Sequence, residues 1–95
     1  MNETIQTEQP FRMVIDAIFT IKNRGVFVIG KVESGRLSRN ESVLVMGYDK
    51  VLHVSVASID HFNPIAPDTH NTGIMLRNVQ REDVDIGMIV TTEGL

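Results

Sequence analysis

The chain reads as an all-β protein, a small closed β-barrel of six or seven strands. Three observations predict it. Apolar runs of strand length recur along the chain, bounded by turn-forming residues. No segment carries a persuasive helical period. An open sheet of this size would leave long edges exposed, and closing it into a barrel removes them.

The elements follow in order. Residues 1–9 are polar and without periodicity, which predicts a loose tail before a barrel domain over 10–95. Phe11 to Ile21 holds Val14, Ile15, Ile18, Thr20 and Ile21, five β-branched residues in eleven, which favours a strand, broken near Asp16. Val26-Phe27-Val28-Ile29-Gly30-Lys31-Val32-Glu33 begins wholly apolar and ends in alternation, as a strand leaving a core does. Gly25 suits the turn before it, and Gly30 permits a bulge or a close backbone approach. Ser34 to Glu41 is a long turn, Val43-Leu44-Val45-Met46 a short strand, and Gly47-Tyr48-Asp49-Lys50 a second turn.

From Val51 to Ile59 the chain alternates. Leu52, Val54 and Val56 fall on one side and His53, Ser55 and Ala57 on the other, so one face is buried and one wet. Asn63-Pro64-Ile65-Ala66-Pro67-Asp68 is a loop, since proline fixes φ and removes a donor. Thr72 to Leu76 and Met88 to Thr92 are the last strands, joined by a polar link that carries Arg77, Arg81, Glu82, Asp83 and Asp85.

Composition narrows the function. A net charge of -3 argues against broad electrostatic binding of nucleic acid, while leaving room for a local basic patch at Arg24 and Lys31 or at Arg77 and Arg81. There is no cysteine, hence no disulfide and no thiolate chemistry. The N-terminus lacks an apolar signal region, and no run approaches the roughly 20 apolar residues of a membrane helix, so a cytoplasmic protein with no membrane partner is the default.

Several pieces occur in a telling order: Phe11-Arg12-Met13, Phe19-Thr20-Ile21-Lys22, Arg24-Gly25, Gly30-Lys31-Val32-Glu33-Ser34-Gly35 and Arg77-Asn78-Val79-Gln80-Arg81-Glu82-Asp83-Val84. In this order and spacing, from Phe11 to Gly94, the chain resembles the second domain of the translational GTPases, elongation factor Tu above all. The resemblance implies a β-barrel of translation-factor domain 2 type. That domain helps hold the aminoacylated 3′ end of tRNA and packs against a GTPase domain, so the implied partners are tRNA or a ribosomal component and a GTPase-type protein domain. By resemblance, Asp16 matches an acidic residue near the aminoacyl end and Phe19 its aromatic neighbour. Asp60 matches a glutamate beside the terminal adenosine, Asn71 an asparagine by the aminoacyl group, and Leu76 an apolar contact to the adenine.

The chain departs from that pattern at Ala17, where the family has a second acidic residue, and at Val14, Ile29, Asn63 and Asn78, where it has proline, threonine, a basic residue and glycine. The loop from Phe62 to Gly73 is shorter than the family's, and Asp68-Thr69-His70 replaces its Ala-Gly-Asp turn. These changes gather around the tRNA-end pocket rather than in the strands. They leave a second reading open, a protein-interaction barrel that has lost its RNA contacts. Met1 suits a true start. The end at Thr92-Glu93-Gly94-Leu95 falls where the family's next domain begins, which suits a stand-alone product and an excised domain equally.

Catalysis is not expected. No phosphate-binding loop is present, so the domain itself should bind no nucleotide and needs no cofactor. The three histidines, His53, His61 and His70, lack metal-ligand spacing, although His61 and His70 flank one loop and could meet. Asp16 offers a carboxylate to a ligand amine or sugar hydroxyl, or is simply a solvated residue at a strand break. Arg77 and Arg81 would bind a partner's phosphate or acidic group, or else pair locally with Glu82, Asp83 or Asp85.

Overall fold

The computed structural model describes residues 9–62 and 71–95, with the backbone alone at His61, Phe62 and Asn71. The tail expected over residues 1–9 lies, but for Gln9, outside them, as do the loop from Asn63 to Asp68 and the approach of His61 to His70. Six strands form: β1 (Arg12–Ile21), β2 (Gly25–Ser34), β3 (Ser42–Gly47), β4 (Lys50–Phe62), β5 (Asn71–Leu76) and β6 (Ile89–Thr91). They close into one barrel in the order β1-β2-β5-β4-β3-β6, with β6 returning to β1 and every pairing antiparallel. The expected small barrel is therefore present, with six strands. No helix among the described residues is long and apolar enough to cross a membrane.

Alternation sets the core. Met13, Ile15, Val28, Val43, Val45, Val56, Ile74 and Val90 are wholly buried, one or two from each strand. Each such side chain contributes roughly 1.5–3 kcal/mol by leaving water. Leu52 and Val54 pack against this cluster and His53 is exposed, as the alternation of β4 implies.

The break expected near Asp16 is a β-bulge. Ile15 faces Gly30 and Ala17 faces Ile29, which leaves Asp16 as the extra residue. Gly30 is required opposite it, because a Cβ there would lie 2.0 Å from the carbonyl oxygen of Val14. Two further register shifts fall between Arg12 and Met13 in the pairing of β1 with β2 and between Val56 and Ser58 on β4.

The β3–β4 turn places Tyr48 and Asp49 at φ of 51° and 64°, the left-handed pair that a two-residue hairpin needs. A tyrosine is costly in such a position. Its hydroxyl donates to the Ile86 carbonyl at 2.7 Å, which ties the hairpin to the link between β5 and β6. Asn78 sits at φ 58°, a region that asparagine tolerates better than most residues.

That link is more ordered than its polar composition implies. Val79, Val84 and Met88 turn inward and join the core. Between them Arg81–Asp83 makes one 3-10 turn, a short helical element that the strand-only reading missed. The turn is held locally: the Asp83 amide donates to the Gln80 carbonyl at 3.0 Å, and the Gln80 amide donates to the Asp83 carboxylate at 2.9 Å.

Candidate binding surfaces

β1, β2, β5 and β4 make a continuous outer face. The register aligns Phe19, Phe27, Met75 and Ser58 in one row, and Ala17, Ile29, Gly73 and Asp60 in the next. Directly paired residues share a face, and Val28, Ile74 and Ile59 in the intervening row point to the core. Both rows therefore face outward. Phe27 is only 8% exposed although it belongs to this outer face, and its ring lies where a Cβ on Gly73 would be. Met75, at 4%, stands beside it in register. Phe19 is the accessible aromatic, at 52%.

The two candidate carboxylates stand on β1 and β4, three steps apart either way round the six-stranded ring and so across the barrel from each other. Asp16 projects from the bulge at one margin and Asp60 stands at the other, both exposed and both without a partner among the described residues. Three strand spacings separate their strands, about 14 Å. They do not converge on one atom. A ligand touching both would have to wrap round half the barrel. Lys31, exposed two residues beyond Ile29, adds one cation to the face, and its register partner is Asn71, whose backbone alone is described.

No protein-family model matches the chain.

Leu76 is elsewhere. It is 1% exposed and belongs to the core, so the adenine contact that the resemblance implies has no surface there. The outward apolar residues next to it in register are Met75 and, paired with Met75 on β2, Phe27. Periodicity did not single out Phe27 because it sits within the unbroken apolar run Val26 to Ile29, where inside and outside look alike.

Arg77 and Arg81 lie apart from this face. Neither makes the expected ion pair with Glu82, Asp83 or Asp85. The Arg77 guanidinium donates to the Val56 carbonyl at 3.2 Å, its backbone amide donates to Ser55, and the Arg81 guanidinium donates to the Val84 carbonyl at 2.9 Å. The Asp83 carboxylate is taken by the Gln80 amide instead. Among the described residues no carboxylate neutralises either arginine. Arg77 lines a polar cleft of about 300 Å³ with Ser42, His53, Ser55 and Asn78. Arg81 lines a separate groove of about 310 Å³ with Lys22 and Arg24. Arg24 therefore joins Arg81, whereas Lys31, its neighbour in sequence, lies farther along β2 on the outer face.

Among the described residues no group of three His, Cys, Asp or Glu side chains is placed to hold a metal.

Proposed function

We propose that this barrel is a non-catalytic binding module of the cytoplasm that holds the single-stranded 3′ end of a tRNA on the outer face of β1-β2-β5-β4. The observation that carries the reading is the exposed Phe19 on β1, with Asp16 on the same strand and Lys31 on the adjacent β2, Asp16 being without a partner among the described residues. An aromatic ring open to solvent is a platform on which an unpaired base stacks. Asp16 and Asp60 accept hydrogen bonds from ribose hydroxyls or from an aminoacyl amine. Lys31 supplies a phosphate contact. The resemblance to translational GTPases supports the same face.

Titration of a fluorescent 3′-CCA-ended tRNA tests this. Phe19→Ala should weaken binding by about tenfold, since one base–aromatic stack contributes about 1–3 kcal/mol. Asp60→Ala should weaken it less. The fall of affinity with salt should be shallow, because few phosphates are met. Absence of any saturable signal, or equal affinity for wild type and Phe19→Ala, would reject the reading.

A second reading rests on the other half of the barrel. Tyr48, Val51 and Ile86 are 67%, 62% and 55% exposed. In register, Val51 continues through Met46 and Ile89 to Val14, an apolar band across β4, β3, β6 and β1. Such a band suits a protein partner, for which the resemblance names a GTPase-type domain. In the same titration, Val51→Asp should leave RNA affinity unchanged.

A further inference from the structure

The barrel is closed, but one stretch of its wall has an open edge. β1 pairs with β2 along almost its whole length, whereas β6 pairs with β1 only at Arg12, Met13 and Val14. Two more bonds extend that seam: the Ile15 amide donates to Met88 and the Gly87 amide donates to Ile15, both at 2.9 Å. Past the bulge there is nothing more.

The direction of the free groups follows from the hairpin. The Arg24 amide donates to the Ile21 carbonyl at 2.9 Å, so Ile21 faces β2. In an antiparallel pair successive residues alternate in the direction of their N–H and C=O groups. Phe19 and Ala17 therefore also face β2, and Ile18 and Thr20 face away. No bond is formed on that far side by either residue among the described residues. Thr20 is exposed.

Thr20, at the end of this edge, opens onto the 310 Å³ groove, which runs along the β1–β2 turn as far as Val26 and is walled opposite by Val79, Gln80 and Arg81; Ile18 does not line it. Lys22, Arg24 and Arg81 line it, and no carboxylate does. Lys22 and Arg24 have no partner within the described chain, and Arg81 is bonded only to a carbonyl. We propose that this edge is a docking site for an extended acidic peptide. The peptide adds as a strand to Ile18 and Thr20, and its alternate Asp or Glu side chains meet Lys22, Arg24 and Arg81.

Charge decides the occupant. Flanking cations guard an open edge against pairing with its own kind, since two copies would bring two such clusters together. The same cations favour a partner strand of opposite sign. Main-chain bonds then supply affinity, and the side chains supply selectivity. The site is distinct from the RNA face proposed above. That face uses the outward side chains of β1, and this one uses its backbone edge.

The test is a titration of the isotope-labelled chain with a short peptide alternating valine and glutamate, followed by amide exchange. Saturable binding that slows exchange at Ile18 and Thr20 is expected. A peptide with N-methylated backbone keeps the charge but cannot pair, and should bind about tenfold more weakly or worse. The valine–lysine counterpart should not bind. Thr20→Pro removes an edge donor that β2 does not use, so binding should be lost with the melting temperature little changed. Arg24→Glu with Arg81→Glu should also abolish binding, and Phe19→Ala should not.

The proposal is overturned if Ile18 and Thr20 gain no protection or if the N-methylated peptide binds equally well. It is likewise overturned if a single-stranded RNA protects those amides and the peptide does not. Should Thr20→Pro fail to fold, the N-methylated peptide carries the same test on the unaltered chain.

Discussion

Gly30→Ala is expected to unfold the barrel or bring it close to unfolding. The added Cβ would stand 2.0 Å from the Val14 oxygen and 2.9 Å from its carbonyl carbon. Both are backbone atoms, held within the stretch of β1 that pairs with β2 and β6 at once. Relief requires the two strands to separate at the bulge, and that breaks pairing. A cost of about 3 kcal/mol or more follows, a large part of the roughly 5–15 kcal/mol that a small domain has. For a chain of this size the melting temperature should fall by about 15 °C or more. Gly73→Ala is the control. Its Cβ would also come close, 2.2 Å, but to the ring of Phe27, a side chain that can swing outward. The expected loss is about 1–2 kcal/mol. Thermal and urea melts of the two variants decide the matter. Equal losses would show that the close approach at the bulge is not rigid.

The second large effect is at Val90. It is wholly buried, and it pairs with Met13 on one side and Val45 on the other, both also wholly buried. It is thus the centre of the short strand that joins the two ends of the sheet. Val90→Asp would put a carboxylate among apolar side chains with no donor to meet it, at a cost of several kcal/mol. Cooperative melting should be lost and near-ultraviolet structure with it. Val90→Ala, which only removes volume, should cost about 2 kcal/mol and leave a cooperative transition. A folded Val90→Asp protein would mean that β6 can detach while the rest of the barrel stands.

Much of this architecture is legible in the residues, and for identifiable reasons. β4 alternates cleanly because one face is wet, so Leu52, Val54 and His53 can be assigned before any coordinates exist. The break at Asp16 shows as a carboxylate in the middle of an apolar run, and Gly30 shows as a glycine where a strand needs none. Other features are hidden. Val26 to Ile29 is apolar on both faces, because Phe27 lies over Gly73 on the outer face while Val26 and Val28 fill the core, and alternation cannot separate them. Leu76 belongs to the same class of ambiguity. The 3-10 turn at Arg81 depends on backbone bonds around Gln80 and Asp83, too local for periodicity to reveal. The open edge at Ile18 and Thr20 depends on which strand stops first, and strand pairing is a long-range property. The candidate site is legible only as a set of residue types. That Phe19 stands beside Phe27 with Asp60 three strands away, and that Arg81 meets Arg24, are consequences of register.

The strand that closes the ring is also the last of the six along the chain. Phe11 and Thr92, whose amide and hydroxyl meet at 2.9 Å, are 81 residues apart. During synthesis the first five strands must wait, unsealed, until residues 89–91 have left the ribosome. Joining such distant segments carries a loop-closure penalty before any contact is gained, so this barrel should mature slowly, on the millisecond-to-second scale of β-rich domains. Until then its oily lining stays within reach of chaperones and of neighbouring nascent chains.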